Sequence, residues 1–256
     1  MEKITAVIIT QDEERNIGRC LASLQGVADE IVVVDSGSTD RTEAICAEHG
    51  VRFERHPWAG YSEQKNYANS LATSPWILSI DADEALSPAL RERLLKIKEE
   101  GLDRGTVYSF NRLTNYCGRW IRHCGWYPDV CARMWRNDGS VRWDGVVHEQ
   151  LHIGGPTPVC RRIDGDLLHY SYRSVSDHLQ RMARYAPLGA EKALSEGKRC
   201  GVASLWFRPL WTFLRVYIFK GGFRDGVAGF VVARLSATYT LVKYATLYRM
   251  THEAAD

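Results

Sequence analysis

Four short strand-like runs, three of them strongly apolar and all separated by stretches of helical length, occupy residues 4–80 and constrain the fold more than any other feature. "ITAVIIT" (4–10) is continuous and β-branched, as expected of a strand covered on both faces. "EIVVVDSG" (30–37), "VRFERH" (51–56) and "WILSI" (76–80) follow as further strands. Between the first two, Ile17, Cys20, Leu21 and Leu24 fall at i, i+3, i+4 and i+7, one face of a helix. Asp40 with Glu43 can cap a second helix, and Gly50 can end it. A polar helix is expected around 61–73. Ser87-Pro88 opens another, with Leu90, Leu94 and Ile97 on its inner face. Such alternation predicts an α/β fold, a mostly parallel Rossmann-like sheet with helices on both faces.

Ligands of such sheets bind beyond the carboxyl ends of the strands. Three of those ends are polar: "TQDEE", "DSGSTD" and "DADE". If the backbone stays extended past the fourth strand, Asp81 and Asp83 point the same way across small Ala82. Two close carboxylates repel and raise each other's pKa, and a divalent cation such as Mg²⁺ or Mn²⁺ removes that penalty. The alternative is that both acids merely cap the turn before Ser87.

Residues 105–152 read as short strands with many aromatics. "DVCARMWR" and "SVRWDGVVHEQL", joined by Asn137-Asp138-Gly139, predict a hairpin. Trp120, Trp126, Tyr127, Trp135 and Trp143 suit either a wall for sugar C–H faces or ordinary core packing. Beyond residue 172 the composition turns helical and very apolar. Residues 204–219 combine an apolar face with Arg208 and Arg215, which fits a helix in a membrane interface, or one packed on the catalytic domain or another subunit. No stretch reaches the length of uninterrupted apolar sequence that a spanning helix needs. Lys+Arg (33) and Asp+Glu (31) nearly cancel, which gives no case for nucleic-acid binding. The seven cysteines form no Cys-x2-Cys pair, so reduced thiols in a cytosolic setting are expected. "MEKITAVIIT" lacks the parts of a signal peptide.

"AVIITQDEERNIGRCLASL", "IVVVDSGSTDRT", "EQKNYANSLATSPWILSIDADE" and "WDGVVHEQL" together resemble family-2 glycosyltransferases of the GT-A fold, in the branch around the lipopolysaccharide-core β-1,4-glucosyltransferases. The resemblance covers roughly residues 4–172. It departs at Asp35-Ser36, where many members carry two Asp. It implies a GT-A catalytic domain over 1–172 and a helical C-terminal region over 173–256 that meets a membrane interface or another subunit. It also implies a nucleotide-sugar donor, of the UDP-hexose kind, with inverting transfer to a hydroxyl of a glycan or lipid-linked acceptor. Lipopolysaccharide core or cell-surface polysaccharide synthesis at the inner face of the cytoplasmic membrane would be the setting. Thr10, Glu13 and Asp35 match the uridine pocket, Asp81 lies near ribose and metal, and Asp83 matches the ligand of a Mn²⁺ or Mg²⁺ cofactor. Lys65 either faces a phosphate or is a solvated surface lysine. Inverting transfer needs a carboxylate base opposite the leaving group. Glu149 matches it, with Asp144 as runner-up, and His148 and His169 are candidates to complete the metal shell. Two other classes compete. A metal-dependent nucleotidyltransferase should carry a Gly-rich basic loop after its first strand, whereas "TQDEERN" has no glycine. A non-catalytic sugar-binding scaffold would not need the acidic pair.

Overall fold

The computed structural model describes residues 2–145, 150–154 and 159–252. The chain divides into two compact units, Met1–Arg112 with Asp129–Tyr170, and Leu113–Pro128 with Ser171–Asp256.

The first unit opens with the expected alternation: β1 (Ile4–Thr10), α1 (Ile17–Leu24), β2 (Glu30–Asp35), α2 (Thr42–Glu48), β3 (Arg52–Arg55), α3 (Tyr61–Ser70) and β4 (Trp76–Asp81). These strands lie in the order β3-β2-β1-β4, all parallel. Next come β5 (Glu84–Leu86), α4 (Pro88–Glu100), β6 (Thr106–Tyr116), β7 (Arg119–Trp120), β8 (Asp129–Arg136), β9 (Val141–Asp144), β10 (Gln150–Ile153) and β11 (Val159–Tyr172). The sheet continues as β8-β6-β11-β5, and β8 runs antiparallel to both β4 and β6. The sheet is therefore parallel in one half and mixed in the other. Helices connect the successive parallel strands of the first half, and α4 links β5 to β6 in the second, whose later strands follow one another without helices.

Both faces of the sheet are covered. Ile4, Ala6 and Ile8 of β1 join Trp76, Leu78 and Ile80 of β4 in a core closed by Leu21 and Leu24 of α1 and Leu90 and Leu94 of α4. Val7, Val32, Val34 and Ile77 point the other way, onto Ala68 of α3, Trp135 and Trp143. Every predicted inward residue of α1 and α4 is buried. Ser87 caps α4 by accepting from Leu90 N, and Pro88 stands at the first helical position. Strand β11 passes close to this cap: Ser87 N donates to Asp166 O, and Asp166 N donates to Ser87 Oγ. Gly165 stands in the left-handed region at φ +110°, and a side chain there would overlap the backbone of Leu90.

The expected hairpin across Asn137-Asp138-Gly139 does not form. β9 pairs with β10, with Asp144 opposite Gln150, not with β8. Both edges of β8 are already taken by β4 and β6. Asn137 seals its end by donating from Nδ2 to the carbonyls of Ala72 and Ser74. The turn residues are real, but they connect two sheets.

The second unit contains α5 (Val175–Ser195), α6 (Val202–Leu214), a π turn (Arg215–Phe219), a 3₁₀ turn (Gly222–Asp225) and α7 (Gly226–His252). Its core gathers Tyr116, Ile121 and Cys124 with Val216, Val232 and Ala233. Asp225 ties the 122–124 loop down, accepting from His123 N at 2.8 Å and lying 2.8 Å from His123 Nδ1. No described helix is long and apolar enough to cross a membrane. The expected apolar face of α6 stays outward, with Trp206 76%, Phe207 70% and Phe219 (in the π turn) 70% exposed. Arg208 is exposed and also meets the last helix. Its guanidinium lies over the Tyr244 ring of α7 at 4.5 Å and donates to the Tyr244 hydroxyl.

Candidate active site

The parallel strands deliver their carboxyl ends side by side. Thr10 ends β1 opposite Asp35, which ends β2, and Ile9 pairs with Asp81 at the end of β4. Asp35 is buried, and its carboxylate accepts from Gly37 N and Ser38 N, both at 2.8 Å, and from Ser38 Oγ. The loop after β1 is laced to it: Asp12 N donates to Ser38 Oγ, Thr39 N to Asp12 Oδ1, and Glu13 N to Thr42 Oγ1. Glu13 also accepts from Asn16 Nδ2 at 2.7 Å. Thr10 Oγ1 is buried and has no hydrogen-bond partner. A buried hydroxyl left unpaired beside a fixed polar rim is a position for an incoming polar group.

Past Asp81 the backbone turns, so the extended i, i+2 geometry does not hold: Ala82 and Asp83 form a turn before β5. The two aspartates take separate partners. Asp81 Oδ1 lies 3.0 Å from Lys65 Nζ, and its Oδ2 lies 2.9 Å from Arg133 Nη2. Burial alone would push the Asp81 carboxyl up, but Lys65 and Arg133 outweigh it and hold the group well below the usual carboxylate range. Asp83 Oδ2 instead lies 3.2 Å from His169 Nε2. Burial works against a charge on His169, yet the Asp83 carboxylate outweighs it and leaves the imidazole pKa above its ordinary value.

Glu84 shapes this turn and was not singled out from the sequence. Its side chain is fully buried, with Oε1 2.5 Å from Arg133 Nη2 and 3.6 Å from Arg112 Nη1, while Oε2 accepts from Asp81 N at 3.0 Å. β5 pairs with β11 so that His169 stands opposite Glu84, and Tyr170 N donates to Asp83 O. That register is what brings His169 to Asp83.

Lys65 is buried, which removes the solvated-surface alternative. Besides Asp81, its ammonium lies 4.6 Å from the Trp143 ring centroid. The same helix pins the end of β9: Asn66 exchanges two hydrogen bonds with the Trp143 backbone, and Ser62 Oγ donates to Gly145 O at 2.6 Å. Asp144, at the end of β9, is exposed and accepts from Gly145 N. Glu149 and His148 lie outside the described residues. The expected aromatic wall divides between the units. Trp135 and Trp143 pack edge to face in the first, whereas Trp120, Trp126 and Tyr127 belong to the second.

Among the described residues no three His, Cys, Asp or Glu side chains converge as a complete metal cage. A divalent ion bound through a diphosphate needs fewer protein ligands. One carboxylate and one imidazole, on Asp83 and His169, meet that donor chemistry, and the buried Nδ1 of His169 has no partner. Asp81, with both oxygens engaged by cations, is placed to orient Lys65 and Arg133.

Residues 5–145 match the family described as Glycosyl transferase family 2. The lipopolysaccharide core biosynthesis glycosyltransferase LpsC of Rhizobium meliloti is 34% identical over 258 residues, covering 96% of this chain and 92% of that protein. An uncharacterized glycosyltransferase of Rickettsia felis is 30% identical over 257 residues, covering 96% and 90%. Among solved structures, glucosyl-3-phosphoglycerate synthase from Mycobacterium tuberculosis, in complex with Mn²⁺, UDP-glucose and glycerol 3-phosphate, matches at 24% identity with a TM-score of 0.36 over 46% of each chain. The nucleotidyltransferase and scaffold alternatives fall away, and the chain belongs to glycosyl transferase family 2.

Proposed function

We propose that this glycosyltransferase is a metal-dependent, inverting hexosyltransferase that uses a UDP-linked donor and acts on a lipid-linked or glycan acceptor of the lipopolysaccharide core. The observation that carries the reading is the pairing of Asp83 with His169 at the carboxyl edge of the parallel strands, beside a buried lysine. LpsC, at 34% identity, supports the acceptor class. Thr10, Glu13 and Asp35 would receive the nucleoside. Asp83 and His169 would hold Mn²⁺ or Mg²⁺, with His148 as a further candidate ligand. When bound, the ion supplies positive charge against the diphosphate leaving group. Lys65 adds a second positive charge at that edge, fixed in place by Asp81. Glu149 takes the proton of the attacking hydroxyl, and Asp144 is the runner-up. The outward apolar residues Trp206, Phe207 and Phe219 suit seating on the inner face of the cytoplasmic membrane, where a lipid-linked acceptor would be met. Incubation with a panel of nucleotide sugars, Mn²⁺ and a core-oligosaccharide acceptor tests the reading. Transfer from one UDP-hexose, abolished by chelator, is the expected result. Undiminished transfer in excess chelator overturns the metal role, and exclusive use of a non-uridine donor overturns the donor class.

A further inference from the structure

The second unit holds a cleft of about 440 Å³ that the reading above leaves unused. Trp126 and Tyr172 form part of its wall and stack with ring centroids 5.4 Å apart and planes 26° apart. Ser236, Tyr239 and Thr240 add hydroxyls. Arg181, Arg215 and Lys220 add positive charge, and no described lining residue is an acid. A second cleft shares Thr212, Arg215, Tyr239 and Thr240 with the first, and adds Arg208 and Lys243, again without an acid. In a chain whose Lys+Arg (33) and Asp+Glu (31) nearly balance, this separation of charge is local.

The cations differ in how far they are satisfied. Arg181 is engaged, donating to Ser171 Oγ at 2.9 Å and Ser171 O at 2.8 Å, with Asp177 3.5 Å from its Nε. Arg208 is engaged by Tyr244. Arg215 and Lys220 line the first cleft with no carboxylate partner among the described residues. Gly125 clears space for Lys220: it sits at φ +77°, and any side chain there would overlap the Lys220 ammonium. Aromatic faces receive sugar C–H surfaces, hydroxyls receive sugar hydroxyls, and unpaired guanidinium and ammonium groups receive an oxyanion. Phe207 and Trp211 line the second cleft and remain largely exposed, which adds an apolar border beside the charge.

We infer that these joined clefts bind a saccharide carrying a phosphomonoester, with Arg215 and Lys220 on the phosphate and the Trp126–Tyr172 stack beside the sugar. That this saccharide is the acceptor rests on the proposed function; the site itself does not. The phosphate belongs either to a free sugar phosphate or to a lipid headgroup.

Isothermal titration of the full chain with glucosamine 1-phosphate, glucosamine and inorganic phosphate tests the site. Glucosamine 1-phosphate should bind roughly tenfold or more tightly than glucosamine, because a charged hydrogen bond is added. Arg215→Gln and Lys220→Gln should each weaken it by about tenfold, with unchanged melting, since both side chains are exposed. Sedimentation with phosphatidylcholine vesicles, with and without phosphatidic acid, identifies the source. Acid-dependent binding that both variants lose assigns the site to a headgroup, and its absence alongside tight glucosamine 1-phosphate binding assigns it to a free sugar phosphate. Equal binding of glucosamine and its phosphate, or variants that bind like wild type, overturns the inference. Uridine diphosphate titrated into the same proteins reports the donor reading separately. Its failure there, with glucosamine 1-phosphate still bound through Arg215, would remove the acceptor role and leave the site.

Discussion

Asp81 and Asp83 are two residues apart, yet their asparagine variants should fail in opposite ways. Asp81→Asn removes the negative charge between Lys65 and Arg133, whose side chains are 8% and 4% exposed. Lys65 then has no carboxylate partner among the described residues, while Arg133 keeps Glu84 at 2.5 Å. Breaking a buried pair costs about 3–5 kcal/mol, and the surviving Arg133–Glu84 contact puts this case near about 3 kcal/mol. For a chain of this size, that lowers the melting temperature by roughly 6–12 °C. Asp83→Asn strands no charge, because the His169 imidazole can release its proton, and the amide oxygen still offers an acceptor at 3.2 Å. Its cost should stay within about 1 kcal/mol. Thermal unfolding by circular dichroism, paired with transfer assays in Mn²⁺, reads both quantities. Asp83→Asn should melt like wild type and lose transfer; Asp81→Asn should melt low. Equal melting of Asp81→Asn and wild type would refute the argument from buried charge, and full transfer by Asp83→Asn would refute its ligand role.

Glu149→Gln should lower kcat by about 10²-fold or more with little change in donor affinity; normal turnover there, with loss in Asp144→Asn, moves the base to Asp144. Trp206→Glu with Phe219→Glu should abolish pelleting with liposomes and leave melting unchanged, since both rings face outward; if the wild type ignores liposomes, the membrane role is wrong. Gly165→Ala should cost more than about 2 kcal/mol, because it forces a side chain onto Leu90 at a left-handed φ. A denaturant midpoint equal to wild type would contradict that close approach.

The parallel half of the sheet was legible because burial on two faces writes continuous apolar runs, as in "ITAVIIT" and "WILSI". Helices α1 and α4 were legible for a similar reason: one apolar stripe on each, including Leu21 and Leu94, meets the sheet. Lys65 was not. Helix α3 is polar almost throughout, so no stripe reveals that Gln64 and Lys65 point inward. Its burial depends on Asp81 and Trp143, which come from distant parts of the chain. Arg133 did leave a trace. It lies between Ala132 and Met134 in strand β8, where the register with β6 shifts, and a buried arginine requires an acid. That acid is Glu84, one residue past the two aspartates that drew the reading of "DADE". The pairing of β9 was hidden because turn chemistry reports a reversal of the chain, while pairing depends on which edges are free.

The two units are threaded through each other along the chain: residues 113–128 belong with the C-terminal helices. A cut after Tyr172 therefore separates Tyr116, Ile121 and Cys124 from Val216, Val232 and Ala233, which complete their core. The shortened protein would carry a raw apolar patch and tend to aggregate, and the released helices would lack half of their own interior. No single break in the gene yields two intact parts. Exchange of the second unit between such enzymes by swapping a terminal segment would thus require a second, internal exchange of residues 113–128.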